Sequence, residues 1–409
     1  MDNIKNNLLN RFIEYVKVYS ESSGENADGG IMPSTPQQWD MAKVLKAELE
    51  RLGLENVQTT ESCYTYGFLP ANNGDENSLC LLAHIDTVDE VSGRDVKPQV
   101  FKGYSGEKII LEDGIELDPA WDRNLEFAGK NHETVITSDG TTLLGADDKA
   151  GVAEIMTALE YFATHPEVKH CGIEVIFSPD EETGHGMDKV PLELLKSKHA
   201  YTVDGGHLGE LETECFNAWK SEIEFTGVAC HTGTARGVMV NAISMAAAFL
   251  DNLPRTERPE TTDGYQGFYA PMSVEGSIEK SRVVLFLRDF DLKEMENRRE
   301  IVEMIARSTA ASFGGMAKVT HTQQYLNMKE KLDENPKVAE SLIAAYKACG
   351  VEPVFSPIRG GTDGSRLTEM GIPCPNIFTG GHNFHSRREW ASLDQMTKAC
   401  EILIELIKR

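Results

Sequence analysis

Two adjacent acids, Glu181 and Glu182, closely follow an apolar run at residues 173–177. The run is short and rich in β-branched and aromatic residues, so it predicts a buried strand. The flanking Pro179 and Gly184 predict a loop at the carboxyl end of that strand, which is where open α/β sheets bind ligands. Because side chains alternate along an extended segment, one acid can ligate a metal ion while the other carries a proton.

Four further motifs place nitrogen or oxygen ligands at the predicted ends of strands or starts of helices. They contain His84 with Asp86, Asp147, Asp204 and His385. Each motif alone is typical of a solvated turn, but their joint occurrence favours one shared site. Imidazole and carboxylate ligands without cysteine suit zinc, or cobalt or manganese in its place. If one carboxylate bridged two ions, each metal would have three protein ligands and room for a shared water, as in two-metal hydrolases.

His84 and Asp86 are two residues apart at the end of an apolar run, residues 79–85, that predicts another buried strand. Residues at this spacing on a strand point to the same face. The carboxylate of Asp86 is therefore predicted to hydrogen-bond the imidazole of His84 and to orient it for metal binding.

The order of predicted elements indicates two domains. Helices and strands alternate over the first half of the chain, which predicts a doubly wound, mostly parallel sheet of the α/β class. After about residue 214, strands with one polar face alternate with two long helices, which predicts an α+β domain of the ferredoxin-like, split βαβ type. We therefore expect a catalytic domain over residues 1–214 and 327–409 and an inserted lid domain over residues 215–326.

The composition restricts the class of protein. The chain has 409 residues, which favours two domains, and a formal net charge of −25, which disfavours binding to nucleic acid or to anionic membranes. It has neither an apolar stretch long enough for a membrane span nor the N-terminal pattern of a signal peptide. The eight cysteines are scattered without paired spacing, so we expect free thiols and a cytoplasmic location.

At these motifs the sequence resembles the co-catalytic zinc exopeptidases, a family that includes aminoacylase, the glutamate carboxypeptidases and bacterial dipeptidases. The family pattern is His-x-Asp, then Gly-x-Asp-x-Lys-x-Gly, Glu-Glu, Asp or Glu, and a late His, and every part is present. Longer stretches resemble the tripeptide aminopeptidases of that family. They lie at residues 143–152, 237–242, 288–291 and 358–364.

The resemblance implies a metal site that holds two zinc ions. Asp147 would bridge the ions, with His84 and Asp204 completing one site and Glu182 and His385 the other. His382 competes with His385 for the last position, but the family's ligand is followed four residues later by a glutamate, and Glu389 fits His385.

The resemblance also implies which residues act on the substrate. Glu181 would be the general base that takes a proton from a metal-bound water, with Asp86 supporting His84. His231 would contact the substrate carbonyl, although Thr232 replaces the proline that the family usually has after this histidine.

Three further residues are candidates for binding the peptide. Arg288 and Arg359 can hold a carboxylate by paired hydrogen bonds, or can equally form structural ion pairs with their acidic neighbours Asp289 and Asp363. Asn241 either hydrogen-bonds the substrate or caps a helix.

We therefore expect an aminopeptidase that removes the N-terminal residue from tripeptides. A dipeptidase or an N-acyl amino acid deacylase of the same fold is the alternative. The complete ligand set disfavours a non-catalytic binding protein, and a glycosidase would leave His84, Asp147 and His385 unexplained. The expected partner is a small peptide, with neither nucleic acid nor membrane, and a homodimer stays an open possibility.

Overall fold

The computed structural model describes residues 2–74 and 77–408. The contacts divide the chain into unit 1, which comprises Met1–Thr213, Glu330–Ser356 and Thr362–Arg409, and unit 2, which comprises Glu214–Lys329 and Pro357–Gly361. The assignment of a catalytic domain and an inserted lid domain to these units stays a prediction. The short segment Pro357–Gly361 joins unit 2 through its contacts, which nothing in the sequence indicated.

The elements follow the predicted alternation. The helices are α1 (Asp2–Val16), α2 (Gly24–Asp28), α3 (Gln38–Arg51), α4 (Arg123–Lys130), α5 (Ala146–Thr164), α6 (Ala242–Asn252), α7 (Leu292–Phe313), α8 (Lys329–Glu334), α9 (Pro336–Ala348), α10 (Asp363–Glu369) and α11 (Leu393–Ile407). The strands are β1 (Glu55–Thr59), β2 (Thr65–Leu69), β3 (Ser78–His84), β4 (Gln99–Phe101), β5 (Ile109–Ile110), β6 (Glu116–Leu117), β7 (Val135–Thr137), β8 (Gly172–Ser178), β9 (Ala200–Gly205), β10 (Glu210–Glu212), β11 (Asn217–Thr226), β12 (Phe268–Gly276), β13 (Lys280–Asp289), β14 (Met316–Tyr325), β15 (Val354–Phe355), β16 (Asn376–Phe378), β17 (Gly381–His382) and β18 (Trp390–Ser392).

Unit 1 is built on an eight-stranded sheet with the order β1-β2-β8-β3-β9-β16-β10-β15. Its four central strands, β8, β3, β9 and β16, are parallel to one another. Every residue of β8 is buried, which is the pattern of a strand covered on both faces. Helix α5 packs against β3 and β9 and against α1 and α11. The predicted α/β class with a mostly parallel, doubly wound sheet is therefore confirmed.

The central strands of unit 1 end side by side at one edge of the sheet. In the register of the pairs, His84 lies opposite Ser178, and Leu82 lies opposite Thr202. Because these strands are parallel, the loops that follow them begin at the same edge. This edge therefore collects the segments that carry Asp86, Glu181 and Asp204.

Unit 2 contains a four-stranded antiparallel sheet with the order β12-β13-β11-β14. The chain order β11-α6-β12-β13-α7-β14 is the split βαβ arrangement that the sequence predicted. Buried and half-buried residues alternate along most of β11, and α6 and α7 pack against the sheet and against each other. Their apolar residues form one core that includes Phe225, Phe249 and Val302.

Among the described residues, no helix combines the length and the apolar character that a membrane span requires. The described residues also contain no disulfide bond. 

Candidate metal centre

His84, the last residue of β3, directs one ring nitrogen toward three carboxylates. Its Nε2 lies 2.9 Å from Asp147 Oδ1, 3.7 Å from Asp204 Oδ1 and 4.0 Å from Glu181 Oε2. Its other nitrogen, Nδ1, lies 3.1 Å from the backbone oxygen of Asp86. The backbone contact suits a tautomer in which Nδ1 donates and Nε2 is free to ligate a metal.

Asp147 is shared between two imidazoles. One carboxylate oxygen, Oδ1, faces His84, while Oδ2 lies 3.1 Å from His385 Nε2. The same Nε2 of His385 lies 3.0 Å from Glu182 Oε2. The structure thus brings Asp147 between the histidine of β3 and the histidine of a late loop, the position that a bridging carboxylate requires.

The two adjacent acids have different surroundings. Glu182 contacts His385 through Oε2, and its Oε1 is buried without a hydrogen-bond partner among the described residues. Glu181 Oε2 lies 4.0 Å from His84 Nε2. Burying a carboxylate oxygen without a hydrogen-bond partner costs free energy unless a bound cation offsets that cost. The unpartnered Oε1 of Glu182 is therefore suited to ligate a metal ion.

Two overlapping groups of side chains have ligand atoms within 4.8 Å of one another: His84 with Asp148 and Asp204, and His84 with Asp147 and Glu182. Asp148, however, accepts hydrogen bonds from the backbone N–H groups of His84 and Gly151, both at 3.2 Å. Its oxygens are committed to the backbone, so Asp147 is the better candidate for the ligand.

The electrostatics of this edge favour bound cations. Burial raises the pKa of Glu181 and of Asp204 well above the ordinary values, and neighbouring carboxylates raise both further. Hydrogen bonds to Asp147 and Glu182 raise the pKa of His385 to about 11. Carboxylates so close together repel one another unless positive charge lies between them. The imidazole and carboxylate donors present therefore fit a pair of divalent ions such as zinc.

Asp86 makes contacts beyond the predicted one. Its Oδ1 is 3.4 Å from Nδ1 of His84, and its backbone oxygen lies nearer to the same nitrogen, at 3.1 Å. The carboxylate also accepts hydrogen bonds from the backbone N–H groups of Glu181 and Glu182, at 3.0 and 3.2 Å. Asp86 is fully buried and orients the segment that carries the two acids.

Asp180 also supports this segment, and the sequence did not single it out. Its φ of 59° lies in the left-handed region, which is uncommon for a residue with a side chain. Its carboxylate accepts hydrogen bonds from the backbone and hydroxyl of Ser34 and from the amide of Gln38, and Gln38 Oε1 accepts from the backbone of Asp180. An acid directly before the Glu-Glu pair, at a predicted strand end, was the available signal.

His385, and not His382, contacts the candidate ligands. The ring of His382 stacks on Trp390 with centroids 4.0 Å apart, and its Nδ1 lies 3.3 Å from Asn124 Nδ2. Burial lowers the pKa of His382 to about 3. Its contacts are those of a neutral core histidine.

The predicted substrate residues lie in unit 2, where the structure gives their local contacts. His231 is exposed, and its Nδ1 accepts a hydrogen bond from the backbone N–H of Gly233 at 3.1 Å. Asn241 precedes α6, and its side-chain oxygen accepts from Ile243 and Ser244. Of the two interpretations of Asn241, these contacts favour the helix cap.

The two candidate arginines, which both lie in unit 2, differ in how many of their N–H donors are already hydrogen-bonded. Arg359 donates to the backbone oxygens of Gly264 and Gln266 and to the hydroxyl of Thr262, at 2.7–2.8 Å. Arg288 uses Nη1 on backbone oxygens, while its Nε and Nη2 have no hydrogen-bond partner among the described residues. The alternative of an Arg288–Asp289 pair is not seen, because Asp289 pairs with Arg298 at 2.8 Å.

Comparison with known proteins identifies the family. Residues 120–409 match the model of peptidase family M20/M25/M40. The chain belongs to this family. The M20 peptidase is 45% identical over 407 residues to Peptidase T of Geobacillus sp. (strain WCH70), covering 99% of this chain and 98% of that protein. The predicted enzyme class and family are therefore confirmed.

Solved structures share the fold of this M20 peptidase. Aminopeptidase PepT from Bacillus cereus ATCC 10987 has a TM-score of 0.77 at 24% identity, covering 99% of this chain and 98% of that one. A tripeptidase from Staphylococcus aureus subsp. aureus Mu50 has a TM-score of 0.77 at 23% identity, with the same coverage. The YXEP protein of Bacillus subtilis, described as a dinuclear metal binding peptidase of family M20, has a TM-score of 0.67 at 15% identity, covering 100% and 98%.

Proposed function

We propose that this M20 peptidase is a two-zinc aminopeptidase that removes the N-terminal residue from tripeptides. One observation carries the two-metal part of the proposal: the oxygens of Asp147 face the imidazoles of His84 and His385 at 2.9 and 3.1 Å. A carboxylate shared in this way is the common element of two-metal hydrolases. Similarity to Peptidase T and to a solved tripeptidase supports the choice of tripeptides.

The ligands divide into two sets around the bridging Asp147. His84 and Asp204 would hold one ion, and Glu182 and His385 would hold the other. The orphaned Oε1 of Glu182 and the clustered carboxylates support this assignment. When bound, the metal pair supplies Lewis acidity, which lowers the pKa of water and polarises the peptide carbonyl.

Glu181 is the proposed general base. Amide hydrolysis requires that a proton leave the attacking water and that a proton reach the departing amine. Glu181 lies in the loop at the edge of the sheet where the central strands end. It belongs to neither of the two groups of clustered ligand atoms, and its backbone N–H is hydrogen-bonded to Asp86. Its carboxylate would accept the proton of the water and then donate it to the leaving nitrogen, so its oxygens must not be taken up by full metal ligation.

Unit 2 would supply the groups that recognise the peptide. We assign the substrate carbonyl to His231, which would stabilise negative charge on its oxygen. We assign the peptide carboxylate to Arg288, because its Nε and Nη2 remain available for a paired interaction. Arg359 and Asn241 are the weaker candidates, since their polar atoms serve the neighbouring backbone.

The test of this function is product analysis with di-, tri- and tetrapeptides that carry free or acetylated N-termini. The proposal predicts that a free tripeptide yields its N-terminal amino acid and a dipeptide, while the acetylated tripeptide is resistant. Preferred cleavage of dipeptides would indicate a dipeptidase, and release of acetate from acetylated amino acids would indicate a deacylase. Either result would overturn the assigned substrate.

The place of action and the assembly stay predictions. The scattered cysteines and the absence of disulfides among the described residues support a reducing, cytoplasmic environment. The substrate is proposed to be a small peptide, and the homodimer stays a prediction from the sequence.

A further inference from the structure

Glu389 joins two segments that carry candidate metal ligands. It follows His385 by four residues in the same loop, and it is 1% exposed. Its Oε2 accepts hydrogen bonds from the backbone N–H groups of Leu144 and Gly145, at 2.8 and 2.7 Å. Its Oε1 accepts from the backbone N–H of Asp147 at 3.1 Å. A single buried carboxylate thus contacts the segment of one ligand from the loop of the other.

The segment that Glu389 contacts, residues 144–147, does not have regular helical geometry. Gly145 has a φ of 82°, in the left-handed region, and both Asp147 and Asp148 depart from helical dihedrals although α5 has already begun. The backbone N–H groups here have no earlier turn of helix to accept them. Three hydrogen bonds to one carboxylate satisfy these donors and determine where Asp147 lies.

We propose that Glu389 is a positioning residue that holds Asp147 and His385 at the separation needed to bind the metal pair. The inference rests on the proposed ligand roles of these two residues. Glu389 would not touch the metal or the peptide, because both of its oxygens are occupied by backbone donors. Its contribution would be to metal affinity and to the geometry of the bridge, as is typical of groups that orient ligands.

A merely structural role is the competing explanation, and the chain offers a matched control. Glu174 is also fully buried and also accepts backbone N–H groups, those of Lys196 and Ser197, at 2.7–3.1 Å. Its backbone donors carry no candidate ligand, and its side-chain partner Ser78 lies at the opposite end of β3 from His84. Replacing Glu174 should therefore cost stability without a specific effect on metal binding.

The experiment compares Glu389→Gln with Glu174→Gln by titrating the metal-free proteins with Co²⁺ and recording visible absorption. A glutamine has one acceptor oxygen, so at position 389 its amide would face a backbone donor. We expect Glu389→Gln to bind Co²⁺ about 10–100-fold more weakly, with altered absorption bands. Glu174→Gln should keep the wild-type affinity and spectrum. Circular dichroism verifies that both variants are folded.

Glu389→Asp is the second variant, and it provides the test of the proposal if Glu389→Gln does not fold. It keeps the charge but is one methylene shorter, so it reaches fewer of the three donors and should restore part of the Co²⁺ affinity. Wild-type affinity and spectra in both variants would overturn the proposal, as would equal losses in the Glu174→Gln control. Because the titration uses no substrate, its result is independent of whether the enzyme cleaves tripeptides.

Discussion

Asp86 Oδ1 accepts a hydrogen bond from the backbone N–H of Glu181 at 3.0 Å, so the residue two positions after a candidate ligand orients the proposed base. Oδ2 makes the equivalent contact with Glu182 at 3.2 Å. The ends of β3 and β8 are thereby coupled through a fully buried carboxylate. His-x-Asp in this chain does more than orient an imidazole, because it connects that imidazole's strand to the two acids.

Replacement of Asp86 by Asn should lower kcat more than it changes KM. The Asn amide can accept from one of the two backbone N–H groups but not from both, so the segment of Glu181 loses part of its support. We expect a loss of about 10–100-fold in kcat/KM, measured on a tripeptide. Activity equal to that of the wild type would show that the contact with Glu181 is dispensable.

Glu181→Ala should retain its metal and lose nearly all hydrolysis. The proposed proton transfer accounts for about 10²–10⁴-fold in rate, while Glu181 belongs to neither ligand group. Metal content and kcat are measured on the same preparation. The matched variant is Glu182→Ala, for which the metal content itself should fall. If Glu181→Ala turned over substrate at close to the wild-type rate, Glu181 would not be the general base.

Arg288→Ala should raise KM for tripeptides with a free carboxylate and leave tripeptide amides unaffected. Loss of a paired, charged interaction corresponds to about 10–100-fold in affinity. Arg359→Ala is the control, because its guanidinium donates to Thr262, Gly264 and Gln266 and should affect stability without distinguishing the two substrates. If Arg288→Ala changes KM equally for the tripeptide with a free carboxylate and for the tripeptide amide, the substrate carboxylate is bound elsewhere.

Glu154 should make stability depend on pH. It lies on α5, is fully buried, and neither carboxylate oxygen has a hydrogen-bond partner among the described residues. Burial, followed by the charge of Asp148, raises its pKa well above the ordinary value of 4.5. The folded state therefore binds the proton more tightly than the unfolded state, and stability falls as the pH rises above about 4.5.

Glu154→Leu removes this titration. In urea unfolding of the metal-free proteins, the variant should gain stability relative to wild type between pH 5.5 and pH 8, by about 1 kcal/mol or more. A difference in unfolding free energy that is the same at both pH values would contradict the raised pKa.

The strands that position the site could be predicted because their apolar runs are continuous. Residues 79–85 and 173–177 correspond to β3 (Ser78–His84) and β8 (Gly172–Ser178), with ends shifted by one residue. Once parallel strands are recognised, their carboxyl ends must share an edge, so the candidate ligands could be grouped without coordinates. Helix α4 (Arg123–Lys130) was missed because its short apolar face, with Leu125 and Ala128, lies in a stretch dominated by glycine and charge.

The contacts that support the ligands could not be predicted from spacing. Asp86 lies two residues from His84 but hydrogen-bonds the backbone of residues 95 and 96 positions later, which depends on the register of β3 against β8. Asp180 also hydrogen-bonds residues that are distant in the chain, since its partners Ser34 and Gln38 are more than 140 residues away. Long-range backbone donors have no signature in local sequence, whereas ligand types do.

Metal analysis of the purified protein decides whether the carboxylate of Asp147 is shared by two ions. We expect two zinc ions per chain in the wild type and essentially none in Asp147→Ala, because each site loses the ligand that they share. Two ions remaining in a folded Asp147→Ala protein, or a wild-type enzyme that is fully active with no bound metal, would contradict it.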